Sequence, residues 1–229
     1  MILVPEDKIA EYTARGWWGT ITLWDLFVQQ VRQRPDAEAV VDAANRADFA
    51  HGAPQRLSWS QLADAVDRFC HLLLDTGIRR DDIVLMQLPN CVEQYVVYLS
   101  CARLGIVVTP VPVQYRENEL DHILALTQAA AVVTFARIGK PVGGHAATGM
   151  FTQMRAQAPH LRAILAWGDD VEAGCVDLTQ RCAAPLTPTD RQRLAQAERD
   201  AAVTANDVFT ICWTSGTEAR PKGVPRSHN

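Results

Sequence analysis

From Thr22 to about Trp167 the apolar positions switch repeatedly between the period of a helix and the short continuous runs of buried strands. Leu23, Leu26, Phe27 and Val31 share one helical face; Thr22 and Asp25 have the spacing of a capping box, and Pro35 ends the segment. Ser58 and Gln61 repeat that signal ahead of Leu62, Val66, Phe69 and Leu73. Gly77 then offers a helix stop before the apolar run "IVLMQL" at 83–88. Asn90 with Glu93 predicts the start of a further helix, in which Val92, Val96, Leu99 and the aliphatic stem of Arg103 continue one face to Gly105. "IVVTPVPV" follows it, and "RENELDHILALTQ" with "AAVVTF" supplies a third helix and strand. Three consecutive helix–strand units predict an α/β fold with a mainly parallel, doubly wound sheet and flanking helices.

Beyond this rhythm, Arg137 to Gly149 reads as a glycine-bearing loop, followed by a helix from about Ala147 to Ala158 and the strand "RAILAW". Asp169 to Asn206 turns polar and carries Pro185, Pro188 and a helical "DRQRLAQAERDA", which predicts a surface excursion rather than a separate domain. The chain returns to the sheet through "DVFTICWT".

Composition narrows the function. With 229 residues and 48% hydrophobic content there is material for a packed core, and a net charge of −4 with interspersed signs excludes the basic face that captures nucleic acid or anionic membrane. No apolar run approaches the roughly 20 residues that span a bilayer. "MILVPEDKIAEYTARG" lacks the basic start and the long apolar stretch of a signal peptide. The six cysteines form no Cys-x-x-Cys pair, so a reducing cytoplasm is expected. Trp17 and Trp18 read as a staple for the terminal segment, Asp81 and Asp82 as a solvated turn, and His228 as a packing or helix-entry residue.

The chemistry concentrates in "WTSGTEARPKGVPRSHN", from Trp213 to Asn229. A strand through "DVFTICWT" would deliver this segment to the C-terminal edge of the sheet, where open α/β sheets bind ligands. Gly216 and Gly223 permit backbone angles at which successive N–H groups converge on an anion. Thr214, Ser215 and Thr217 add hydroxyls, and Lys222 adds a positive point charge. Pyrophosphate or a triphosphate suits that donor set, and a flexible turn of small residues is the plainer alternative. It is not a Walker A loop, because Pro221 precedes Lys222 and Gly223 follows it.

"TSGTEARPKGV" resembles the phosphate-binding loop of the acyl-adenylate-forming, or AMP-binding, superfamily, usually seen as Thr-Ser-Gly-Thr-Thr-Gly-x-Pro-Lys-Gly-Val. It departs at Glu218 and Ala219, where Thr and Gly are usual. The stretch from "RLSWSQL" through "GIVVTPV" is similar to the N-terminal region of the same superfamily, and "YTARGWWGTITLWDLF" to its branch that activates dihydroxybenzoate and alicyclic carboxylates. The resemblance implies an acyl- or aryl-CoA synthetase: a carboxylic acid attacks ATP, with Mg²⁺, to give an acyl-adenylate and pyrophosphate, and CoA then displaces AMP. It implies that Thr214, Ser215, Gly216, Thr217 and Lys222 hold the β- and γ-phosphates, with Glu218 in the same loop either turned outward or helping to hold Mg²⁺.

In that family the adenine and ribose contacts, a magnesium-binding Glu, most of the acid pocket and the adenylation lysine follow the phosphate loop. No catalytic residue or metal ligand is therefore assigned here. Residues 1–229 are expected to form an incomplete N-terminal AMP-binding domain, lacking its C-terminal portion and mobile C-terminal domain and inactive alone. Loading of a carrier-protein thiol, non-catalytic phosphate binding and a pure interaction module stand as the alternatives.

Overall fold

The computed structural model describes residues 1–139, 144–214 and 221–229. Two helices open the chain, α1 (Glu6–Ala14) and α2 (Leu23–Gln33), followed by the short antiparallel pair β1 (Glu38–Val41) and β2 (Arg56–Ser58). The helix–strand rhythm then runs through α3 (Trp59–Asp75), β3 (Ile83–Gln87), α4 (Val92–Leu104), β4 (Val107–Pro110), α5 (Glu117–Thr127) and β5 (Ala131–Phe135). A two-stranded pair, β6 (Arg137–Ile138) and β7 (His145–Ala146), leads into α6 (Ala147–Met154) and β8 (Ala163–Trp167). The last third holds β9 (Val176–Asp177), α7 (Leu178–Arg181), α8 (Pro188–Ala201), β10 (Val208–Thr214) and β11 (Lys222–Ser227).

Seven strands form the main sheet in the order β11-β10-β4-β3-β5-β8-β9, parallel throughout except for the β10–β11 pair. The predicted doubly wound α/β sheet is therefore present. Residues Ala131–Phe135 of β5 are buried without a break, which explains a continuous apolar run rather than an alternating one. One face packs against α3 and α4, with Phe69, Leu73 and Val97 almost wholly inaccessible. The other packs against α5 and α6 through Leu120, Ile123 and Phe151. Among the described residues no helix is long and apolar enough to cross a membrane.

The capping boxes predicted for α2 and α3 are both formed, Thr22 with Asp25 and Ser58 with Gln61. The one expected at Asn90 and Glu93 is not. Asn90 is exposed, and Cys91 occupies the cap position with no side-chain hydrogen bond. The cap comes instead from Asp42, whose Oδ1 accepts the Val92 N–H at 2.9 Å across 50 residues of sequence. Its Oδ2 accepts the Gln55 N–H at 2.9 Å and Arg46 Nη1 at 2.5 Å. Glu93 is taken by the same buried guanidinium at 2.5 Å, and Arg46 also donates to His51 O. Arg46 is only 2% exposed, so its charge is viable because two carboxylates face it. Burial opposes ionisation of this guanidinium, but Glu93 and Asp42 more than offset that and raise its pKa.

The polar excursion from Asp169 to Asn206 extends the sheet as well as covering it. Within it β9 adds an edge strand beside β8, and Leu178 and Leu194 enter the core. Thr187 and Asp190 cap α8 with a box, and Pro188 sits in its first turn. α6 is shorter than predicted, ending at Met154 and passing into a 3₁₀ turn over Arg155–Gln157. At the chain's start Trp17 and Trp18 do not staple the terminus onto the core as expected: both pack on Tyr12 of the same segment, with the Tyr12–Trp18 ring centroids 5.1 Å apart, and Trp17 stays exposed. His228 takes the helix-entry role: its Nδ1 accepts the Leu23 N–H at 3.2 Å, and its ring packs on Phe209.

Two expected outcomes follow from these contacts. Asp42→Ala removes the cap of α4 and one of the two carboxylates facing a buried arginine, so the unfolding free energy in urea should fall by about 3–5 kcal/mol. A loss below about 1 kcal/mol would show that the cluster is dispensable. Burial holds the His228 pKa below the ordinary value, outweighing the opposing charges of Asp207 and Asp25. The unfolded chain therefore binds the extra proton first, so the stabilisation is present above about pH 6.5 and lost as pH falls toward the folded value. His228→Asn should flatten that part of the stability–pH curve.

Candidate active site

β10 lies beside β4 although 97 residues separate the two strands, counting from Pro110 to Val208. Their parallel register is set at Thr210 opposite Val108. Side chains reinforce this narrow pairing. Thr210 Oγ1 donates to Val108 O at 2.9 Å, Thr109 Oγ1 donates to Ile211 O at 3.3 Å, and Trp213 Nε1 donates to Thr109 Oγ1 at 2.7 Å. Threonines within apolar runs thus add partners for carbonyls between two interior strands.

At its C-terminal end β10 reaches Thr214, and the chain returns antiparallel as β11 from Lys222, with Thr214 opposite Lys222. Both residues are exposed, and Thr214 Oγ1 lies 3.4 Å from Lys222 O. Of the predicted phosphate contacts, the structure therefore brings Thr214 and Lys222 together at the mouth of a hairpin. Ser215, Gly216, Thr217 and Glu218, with Ala219, lie outside the described residues. A second element touches the hairpin base: His122 Nε2 on α5 donates to Pro221 O at 3.2 Å.

Gly223 has a different role from the one its sequence suggested. It is not in the left-handed region but lies within β11, opposite Trp213. A β-carbon there would come within 2.9 Å of Ile211 Cγ2 and 3.2 Å of the Trp213 ring. Close cross-strand packing, rather than backbone freedom, demands this glycine. Gly223 thereby lets the Trp213 indole lie across β11 while its N–H reaches Thr109.

The hairpin opens at the edge where the sheet changes direction. β3 is followed by α4 on one face, and β4 by α5 on the other, so a crevice forms outside the strand ends. Gln87, the last residue of β3, is fully buried there. Its Nε2 donates to Pro112 O at 3.1 Å and Tyr115 O at 3.0 Å, tying down the turn between β4 and α5. Its Oε1 has no partner among the described residues. Thr109, Trp213, His122 and Gln87 were not identified from the sequence as parts of this site. The available signal was a polar residue inside an apolar strand, Thr109 in "VVTP" and Gln87 in "VLMQL", which needs a partner once buried.

A model of the family described as AMP-binding enzyme matches residues 27–229. The chain is 31% identical over 228 residues to the 2-hydroxy-7-methoxy-5-methyl-1-naphthoate–CoA ligase of Streptomyces carzinostaticus, covering 98% of this chain and 38% of that protein. It is 30% identical over 231 residues to the medium-chain fatty-acid–CoA ligase of Escherichia coli K12, covering 98% of this chain and 36% of that protein. The chain thus spans little more than a third of the length of these curated relatives. The fold also matches an apo structure of Mycobacterium smegmatis MbtA with a TM-score of 0.75 at 24% identity, over 98% of this chain and 37% of that one.

Gly223→Ala tests the packing at the hairpin. It should lower stability by about 1–3 kcal/mol and perturb the Trp213 indole resonance with no ligand present. Unchanged stability and an unchanged indole signal would contradict the packing role.

Proposed function

The chain belongs to the AMP-binding enzyme family, and from that premise we propose that it supplies the phosphate-binding end of an ATP-dependent carboxylic acid–CoA ligase. The reaction proceeds in two halves. A carboxylate attacks the α-phosphorus of ATP, the bond to the β-phosphate's bridging oxygen breaks, and pyrophosphate leaves. The thiol of CoA then attacks the acyl carbon of the adenylate, AMP departs, and a thioester remains. ATP enters as its Mg²⁺ complex, whose metal offsets part of the phosphate charge. The acid is an apolar one, aromatic or medium-chain, in keeping with the two CoA-ligase relatives.

The observation that carries this reading is the placement of Thr214 and Lys222 at opposite sides of one hairpin mouth, at the sheet's C-terminal edge and within the family match. In the proposed role the Thr214 hydroxyl and Lys222 ammonium, with Ser215, Gly216 and Thr217 between them, hold the β- and γ-phosphates and orient pyrophosphate as leaving group. Lys222 supplies the full positive charge, and its position at the start of a strand limits where the ammonium can travel. Stabilising charge at the departing pyrophosphate lowers the barrier only if the donors are already in place, which is what the β4 seat of β10 provides. The whole reaction, its acid and its thiol acceptor are proposed for a protein of the relatives' length, to which these residues contribute the phosphate contacts.

Pyrophosphate titration followed by thermal unfolding tests the reading. Near 100 times its dissociation constant, pyrophosphate should stabilise the chain by about 2.7 kcal/mol. Lys222→Ala should weaken binding at least about tenfold while leaving the unliganded midpoint unchanged. No shift with the parent chain, or an equal shift with Lys222→Ala, would remove the phosphate role.

A further inference from the structure

A second cavity, of about 430 Å³, opens at the C-terminal ends of β5 and β8, on the face covered by α3 and α4. In the sheet it is separated from the β10–β11 hairpin by β4 and β3. Its apolar wall is the partly exposed Trp167 indole, held from behind by two buried rings: Phe69 stacks on it with centroids 5.6 Å apart and planes 20° apart, and Phe135 stands 6.2 Å away. Arg46 and Glu93 form its floor, with Asp42 bonded to Arg46 behind them, and His51, Gly52, Ala53 and Gln55 border it as well.

The charges of that floor are already committed. Arg46 lies between its two carboxylates, Glu93 Oε1 also accepts from Gln55 Nε2 at 3.0 Å, and the remaining acid, Asp42, faces the positive N-terminal end of α4. Arg68 differs. It lines the cavity half-buried on α3, and among the described residues it has neither an ion-pair partner nor a hydrogen bond. Its neighbour Cys182 is no counter-ion, because burial pushes that thiol up to about 11. A half-buried guanidinium with free donors beside a stacked aromatic wall recognises a planar apolar group carrying one carboxylate. The cavity's size falls in the range of small-molecule sites.

We infer that this cavity is a second ligand site that binds an aromatic monocarboxylate, its carboxylate on Arg68 and its ring against the partly exposed Trp167 indole. Recognition is divided between the two: the fork of Arg68 selects the anion, and the aromatic wall selects a flat apolar body. The inference does not depend on the phosphate role of Lys222.

Benzoate is the probe, titrated into the 229-residue chain by calorimetry while the Trp167 indole resonance is followed by NMR. The expected result is saturable binding that moves the Trp167 signal, weakened at least about tenfold by Arg68→Met and unchanged by Lys222→Ala, with benzamide at least about tenfold weaker than benzoate. Arg68→Met keeps the aliphatic stem, and its thermal midpoint checks that it folds. Cys182→Phe, which fills the cavity from the residue that follows α7, should also abolish binding. Absence of a Trp167 shift, equal affinity in Arg68→Met, or equal affinity for benzamide would each overturn the inference. Loss of benzoate binding in Lys222→Ala with Arg68→Met unaffected would place the acid at the hairpin and overturn it too.

Discussion

The interaction on which the candidate site depends is the seating of β10 against β4. Three side chains make that seat: Thr210 bonds to Val108 O, Thr109 bonds to Ile211 O, and the Trp213 indole N–H bonds to Thr109. The paired segments are nearly a hundred residues apart in sequence, so closing this loop costs chain entropy that local structure cannot recover. Buried hydrogen bonds made only in the correct register favour one alignment of β10 over slipped ones, since a one-residue slip would turn each side chain to the other face. The alignment in turn decides where Thr214 and Lys222 emerge. Gly223 completes the arrangement by leaving room for the indole that anchors the strand.

A second constraint organises the opposite half of the same edge. Asp42, Arg46 and Glu93 tie the β1–β2 connection to the start of α4, using one buried guanidinium and two carboxylates. The cluster substitutes for a local cap, and it fixes the floor of the cavity bordered by Phe69, Phe135 and Trp167. Ionic groups in a core seldom add net stability over a hydrophobic alternative, but removing one member leaves the others uncompensated. Position is therefore what the cluster secures: the 42–55 connection is held over the strand ends rather than left free.

Much of the fold was legible in the sequence because its signals are local. The capping boxes at Thr22 and Ser58, the helix stop near Gly77 and the apolar runs of β3, β4 and β5 all depend on neighbours within a few residues. Where the reading failed, the determining partner was distant. Asn90 and Glu93 have the spacing of a capping box, yet Glu93 is drawn to Arg46 and the cap is made by Asp42, a competition that no window of ten residues reveals. β9 was read as part of a polar excursion because two residues carry too little pattern to announce a strand. In the site, Lys222 and Thr214 were named from the motif, while the residues that position their hairpin, Thr109, Trp213 and His122, became visible only when β4 and α5 were placed beside it. Gly223 was rightly singled out, but for backbone freedom instead of for the closeness of an indole.

The central claim is that the open end of the β10–β11 hairpin, at Thr214 and Lys222, is where phosphate meets this protein. Hydrogen–deuterium exchange with and without MgATP measures that location directly. The account predicts slowed exchange concentrated in peptides spanning 213–223, with a smaller effect in the middle of α5 near His122. Unchanged exchange in 213–223, or protection confined to another part of the sheet edge, would contradict it.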